Sequence, residues 1–509
     1  MKAFALALAA ILASAPAAGA PADSLRFGAF GTVRLYHETP RPSNVVIFVS
    51  GDGGWNLGVV DMARALASLD AVVAGVDITH FTRALEQSRE KCLYPAGDLE
   101  LLSKAVQRHL GYEDYRTPVL VGYSSGATLV YAVLAQSPAE TFKGAISLGF
   151  CPDLPLSRPL CHGDGLDWGP GPKGKGYSFL PTSKLEVPWV ALQGDVDKVC
   201  SPEETRRFVS QVPRGEIVML PKVGHGFSVQ RNWMPQFKAA FTKISAAGST
   251  PAIPQPMPGA VGTAAKPAAE PAPVAPAETA EAQAAGPELR GLPVIEVPNA
   301  GGASSALVIL LSGDGGWGKT EQGISSDLAA EGTGVVGLNS LRYFWKKRTP
   351  ESAAADLQRI ARHYLAAWRK DRLVLVGYSF GADVLPFLVT RMPGDLRAAV
   401  DGIVLISPSR DAEFQFHIGD WLGRTSSSIP YRTKPELEKL RGTKIFCFYG
   451  KDDADVLCTE LDASLATTIV LPGGHRVRGR YTPISKAILE TIERAREHSR
   501  ATSGATNPR

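Results

Sequence analysis

Beyond its first twenty or so residues the chain has no apolar run approaching the roughly 18 residues that a membrane-spanning helix needs, which excludes an integral helical membrane protein. Charge of one sign is also missing. Fifty-four Lys and Arg against 50 Asp and Glu leave a formal +4 over 509 residues, so neither nucleic acid nor an anionic surface is demanded as a partner. Cysteine is scarce, with six residues at 92, 151, 161, 200, 447 and 458, and none has zinc-type spacing, so no metal site is expected. Cys447 and Cys458 stand alone in their half and are the expected disulfide pair; the other four allow three connectivities, and spacing does not choose among them.

What is present starts with a leader. MKAFALALAAILASAPAAGA sets one lysine before a short apolar run and then small Ala-x-Ala sites, the pattern of a secretory signal peptide over residues 1–22. The mature protein is therefore expected to be soluble and exported. Residues 247–287 are dominated by Ala and Pro with no apolar periodicity, and read as an extended, disordered linker that cannot bury enough surface to fold. It separates an amino-terminal domain over 23–246 from a carboxy-terminal domain over 288–500, with a polar tail at 501–509.

Both domains alternate short β-branched runs with helical spacing, which predicts mostly parallel sheets flanked by helices. The first has strands expected at 44–50, 71–77, 117–122, 144–149, 188–194 and 216–220. The second repeats the order at 306–312, 334–339, 372–377, 402–407, 444–450 and 467–471. The fold class is α/β, one architecture used twice.

The repetition extends to the chemistry. GYSSG (122–126) and GYSFG (377–381) each follow a strand and precede a helix, the context of the nucleophile elbow in α/β-hydrolases. Ser124 and Ser379 are the candidate nucleophiles. A serine hydroxyl needs a histidine to take its proton, and the histidine needs a carboxylate to hold its tautomer. After the serine, acid first, come Asp197 and His225 in one domain and His475 in the other, each histidine in an L-P…G-H context. Aligning the shared D-x-x-C selects Asp455 as the second acid, with Asp453, three residues after Gly450, as the alternative. SGDGGW occurs at 50–55 and 312–317, straight after an early strand, where acyl transfer requires oxyanion donors. The expected donor sets are Gly51, Asp52 and Ser125, and Gly313, Asp314 and Phe380.

Two further features differ between the domains. Asp383 stands where the first domain has Thr128, four residues past the nucleophile, and could supply a counter-charge to a substrate ammonium. The run RYFWKKR (342–348) interleaves aromatics with Arg342, Lys346, Lys347 and Arg348 and reads as a binding surface for an anionic membrane.

With SGDGGW, LRYFWKKRTP (341–350), GYSFGADVLPF (377–387), the YG…DVLC loop (449–458) and LPGGH (471–475), the second domain resembles the AcvB/VirJ family of bacterial periplasmic virulence-associated proteins. The amino-terminal half and linker are similar to the longer AcvB form. One departure from the expected pattern is Arg476 directly after His475. The resemblance implies a periplasmic serine esterase that removes lysine from lysyl-phosphatidylglycerol, with no cofactor. It also implies links to envelope homeostasis, virulence and type IV secretion proteins. Two other readings compete: a general exported carboxylesterase, and a hydrolase-shaped binding protein assisting secretion.

Overall fold

The computed structural model describes residues 23–246, apart from 89 and 139, and residues 287–504, apart from 300–303, 417–430, 476 and 478–480. The leader expected at 1–22 and the Ala/Pro-rich stretch up to 286 lie outside the described residues, and Pro287 opens a short turn, Pro287–Leu289.

Two large sheets are formed, one in each half, beside a small three-stranded sheet in the first half and a two-stranded one in the second. In spatial order the first runs Asp23–Phe27, Gly31–Tyr36, Ala71–Val76, Asn44–Val49, Val119–Tyr123, Gly144–Leu148, Trp189–Gly194 and Gly215–Leu220. The second runs Val294–Val297, Val335–Leu338, Ala306–Leu311, Arg372–Tyr378, Val400–Ile406, Ile445–Gly450 and Thr467–Leu471. All twelve expected strands are present. Asp23–Phe27 and Gly31–Tyr36 at one end of the first sheet, and the edge strand Val294–Val297 of the second, were not expected, and their pairings are antiparallel, unlike the parallel interiors. Their mixed polar and apolar residues gave no continuous signal. At the other end, the helix Thr482–Gly504 runs past residue 500 into the segment expected to be a polar tail.

Central strands buried on both faces explain the unbroken β-branched runs. Side chains alternate across a strand, so Val45, Ile47 and Val49 enter one core layer while Val46 and Phe48 enter the opposite one. Leu307, Ile309 and Leu311 divide from Ala306, Val308 and Leu310 in the same way. Flanking helices follow from local signals. Pro350–Ala367 begins at Thr349, whose hydroxyl accepts from the Ser352 N–H, with Pro350 in the first turn, and it buries Ala353, Leu357, Ile360, Ala361 and Tyr364 on one face.

The strand order fixes where chemistry can occur. From Asn44–Val49 the chain crosses to Ala71–Val76 on one side and later continues through Val119–Tyr123 on the other, leaving a crevice at the carboxyl ends of 44–49 and 119–123. Ala306–Leu311 and Arg372–Tyr378 create the same crevice in the second sheet. SGDGGW and GYSxG lie on its two sides.

The halves touch through RYFWKKR. Tyr343, Phe344 and Trp345 are buried, the Trp345 indole N–H donates to the Tyr112 carbonyl, and the Arg108 guanidinium lies 3.9 Å over the Trp345 ring. Lys346 pairs with Asp114 of the first half at 3.1 Å. Arg348 lies over the Tyr343 ring. The expectation of a lipid-facing aromatic surface is therefore corrected: the aromatics that would enter a membrane are packed inside the protein.

Candidate active sites

Each elbow depends on two glycines. A Cβ at Gly122 would fall 2.1 Å from the Gly126 carbonyl, and one at Gly126 would fall 2.3 Å from the Val49 carbonyl; Gly377 and Gly381 are enclosed in the same way. The serine between each pair takes the left-handed backbone that non-glycine residues avoid, φ 55° at Ser124 and 51° at Ser379. Ser124 thus precedes the helix Ser125–Gln136, and Ser379 precedes Phe380–Thr390.

Three side chains meet at each serine. Ser124 Oγ is 2.9 Å from His225 Nε2, and His225 Nδ1 is 2.9 Å from Asp197 Oδ2. Asp197 is held in turn: its other oxygen accepts from the Val199 and Cys200 N–H groups, and Gln193 donates to Oδ2. In the second half Ser379 Oγ is 2.8 Å from His475 Nε2, and His475 Nδ1 is 2.9 Å from Asp453 Oδ2.

The assignment of Asp455 is corrected by this geometry. Its side chain is 81% exposed and paired with Arg410, not with His475. Asp197 and Asp453 both lie three residues beyond the glycine that ends a strand, Gly194 and Gly450. The cysteine misled the alignment because Cys200 is joined to Cys151, whereas Cys458 is joined to Cys447, so the two cysteines occupy different structural roles. Cys92 pairs with Cys161. Asp197, Cys200 and His225 are close enough together to suggest metal ligands. However, the sulfur is bonded to Cys151 and both imidazole nitrogens of His225 face triad partners, which leaves a poor donor set.

SGDGGW has a structural reason in both halves. Gly51 and Gly313 let the turn approach the nucleophile: a Cβ would lie 3.0 Å from Ser124 Cβ or 3.5 Å from Ser379 Cβ. Gly54 and Gly316 take positive φ, and Trp55 and Trp317 lie flat on Gly75 and Gly337, where a Cβ would collide with the indoles. The Asp52 carboxylate accepts from Ser125 Oγ at 2.5 Å, linking the two sides of the first crevice.

The second turn is held differently. Glu321, in the first turn of Lys319–Ala330, accepts from the Gly313 N–H and the Gly318 N–H, both at 3.0 Å. The Gly313 N–H is thereby engaged, which corrects its place in the expected oxyanion set. Phe380 opens a helix, where an N–H has no intrahelical acceptor. Burial pushes the Glu321 carboxyl up to about 7, against the lowering effect of its two N–H donors. Sequence reading missed Glu321; the glycine-x-x-glutamate pattern before a helix was the available signal.

Asp383 does not line the cleft at Ser379. It is buried and accepts from the Ser409 N–H at 2.6 Å, and burial holds its carboxyl well above the usual range. Its expected role as a counter-charge is corrected to a tie between the elbow helix and the loop after Val400–Ile406. Ser379 and His475 open instead into a cleft of about 490 Å³, whose described lining includes none of Asp383, Arg342, Lys346, Lys347 or Arg348.

The sheet order, the elbows and the two hydrogen-bonded trios together define α/β-hydrolase architecture, present twice. The sequence pattern described as bacterial virulence protein (VirJ) matches residues 43–148 and 305–496, and the chain belongs to that family. Similar solved structures include Est1E from Butyrivibrio proteoclasticus, with 14% identity over 45% of this chain and 100% of that one, TM-score 0.32. XC6422 from Xanthomonas campestris, described as an a/b serine hydrolase without lid, has 21% identity over 46% of this chain and 96% of that one, TM-score 0.30. No curated protein matches the chain.

Proposed function

We propose that the chain is an exported serine ester hydrolase with two hydrolase domains, and that its second site cleaves the aminoacyl ester of lysyl-phosphatidylglycerol. The observation that carries this reading is the Ser379, His475 and Asp453 relay opening into a cleft beside a glycine turn. Membership of the VirJ family supports it. Export rests on the sequence of residues 1–22; among the described residues no helix is long and apolar enough to cross a membrane.

The chemistry follows from the geometry. His475 Nε2 takes the Ser379 proton as Oγ attacks the lysyl carbonyl, and Asp453 holds the ring and stabilises the imidazolium that forms. The resulting oxyanion is met by the N–H groups of Asp314 and Phe380. His475 then protonates the glycerol oxygen, releasing phosphatidylglycerol and leaving a lysyl-serine ester. Water, deprotonated by His475, attacks that ester to free lysine and restore Ser379. No step requires a cofactor. Two assembled triads argue against a pure binding protein, for which neither would be needed.

The test compares vesicles containing lysyl-phosphatidylglycerol with a simple soluble ester. Lysine release with clear preference for the lipid is expected. Ester turnover without lysine release would make the protein a general carboxylesterase.

A further inference from the structure

The cleft at Ser379 is not built by the second half alone. Tyr94, Glu100, Pro138, Thr141, Gly163 and Asp164 of the first half line it together with Gly313, Asp314, Lys319, Glu321, Tyr378 and His475. Contacts across the boundary hold the two walls in place. The buried Lys104 ammonium pairs with Glu100 at 2.8 Å, one helical turn away in Pro95–His109, and donates to the Asp314 carbonyl at 3.2 Å. Lys319 faces Asp164 at 3.5 Å. The glycine turn that approaches Ser379 is therefore braced by a lysine from the other half.

Four carboxyl groups line this cleft: Glu100 is paired with Lys104, Asp164 with Lys319, Glu321 is buried and held by two backbone N–H groups, and Asp314 is the fourth. Asp164 Oδ2 is buried and accepts no hydrogen bond among the described residues, although its side chain lines the cleft. The Lys319 ammonium, at 3.5 Å, is too distant for a short charge-assisted bond, which leaves this oxygen able to take one from an arriving ammonium. A lysyl ester fits: its four-carbon side chain carries an ammonium away from the reacting carbonyl at Ser379, towards the wall opposite.

We propose that the first half supplies the specificity wall of the second active site, with Asp164 and Glu100 binding the side-chain ammonium of a cationic aminoacyl ester. The inference rests on the hydrolase reading above. It makes the first half a required part of the Ser379 site, whatever Ser124 does.

The test uses full-length Ser124→Ala protein, so that turnover reports Ser379, and soluble glycerol esters of lysine and of norleucine, which differ in the side-chain ammonium. The parent should prefer the lysyl ester. In Asp164→Asn the ratio of kcat/KM for lysyl over norleucyl should fall on the order of 10-fold, the effect of losing a charged hydrogen bond, with norleucyl turnover serving as the check on folding. Glu100→Gln should lower the same ratio, while also loosening Lys104. Equal losses on both esters, or an unchanged ratio in both variants, would overturn the proposal. A parent that hydrolyses both esters equally would overturn it too while leaving the hydrolase reading intact. A parent that hydrolyses neither would overturn that reading as well.

Discussion

The two halves hold the same serine, histidine and aspartate in nearly the same geometry, yet several of the groups around them differ. Beside Asp197 stand Val196 and Val199, 55% and 67% exposed; beside Asp453 stand Asp452 and the Arg410-paired Asp455. Ser125 bonds Asp52 across the first crevice, whereas Phe380 packs against Phe344 and Phe416. Val59 in the first half occupies the position of Glu321 in the second. Nucleophile, base and acid are tightly constrained by bond-making distances, while the surroundings are free to diverge, so equal triads here accompany unequal substrate environments.

The comparison breaks most sharply at the acids. Asp453→Asn should lower lysine release by on the order of 10⁴-fold, because His475 would lose its tautomer and orientation, whereas Asp455→Asn should change it only a few-fold. Steady-state rates on lysyl-phosphatidylglycerol distinguish them, and the reverse ranking would restore Asp455 as the acid.

Trp345→Ala tests whether the halves cooperate. Truncating a buried Trp costs roughly 3–5 kcal/mol, and this one closes the contact with Tyr112 and Arg108. Thermal unfolding should shift down, and hydrolysis at Ser379 should weaken more than any turnover at Ser124. Equal losses at both serines would mean that Trp345 supports the fold without coupling the halves.

A smaller effect concerns pH. The folded Glu321 carboxyl is raised from 4.5 to about 7, so the native chain keeps a proton that the unfolded chain releases. Its contribution to stability is full below the ordinary value and is lost as pH rises towards about 7. Asp98 in the first half, pushed up to about 6 by burial, acts in the same direction. Unfolding midpoints should therefore decline between about pH 5 and 7, and Glu321→Gln should flatten that decline by on the order of 1 kcal/mol or more. An unaltered slope would remove Glu321 as its source.

Much of this was legible in the sequence for a physical reason. Central parallel strands are buried on both faces and leave unbroken runs such as NVVIFV and ALVILL, and a nucleophile elbow requires glycines at fixed spacing. What stayed hidden depends on distant partners. RYFWKKR looks like a surface because Tyr112 and Arg108, which cover its tryptophan, lie more than two hundred residues away. Asp164 and Glu100 carry no motif and line the Ser379 cleft only through packing of the halves. Asp383 appeared near the nucleophile by sequence, but its carboxylate is taken up by the Ser409 N–H, in a loop that sequence spacing does not bring to it.

Ser379, not Ser124, is expected to release lysine from the lipid. The direct measurement is lysine liberated from lysyl-phosphatidylglycerol vesicles by Ser124→Ala and Ser379→Ala proteins side by side. Ser124→Ala should retain most of the activity while Ser379→Ala falls by on the order of 10⁴-fold or more. Retention in folded Ser379→Ala together with loss in Ser124→Ala would contradict it.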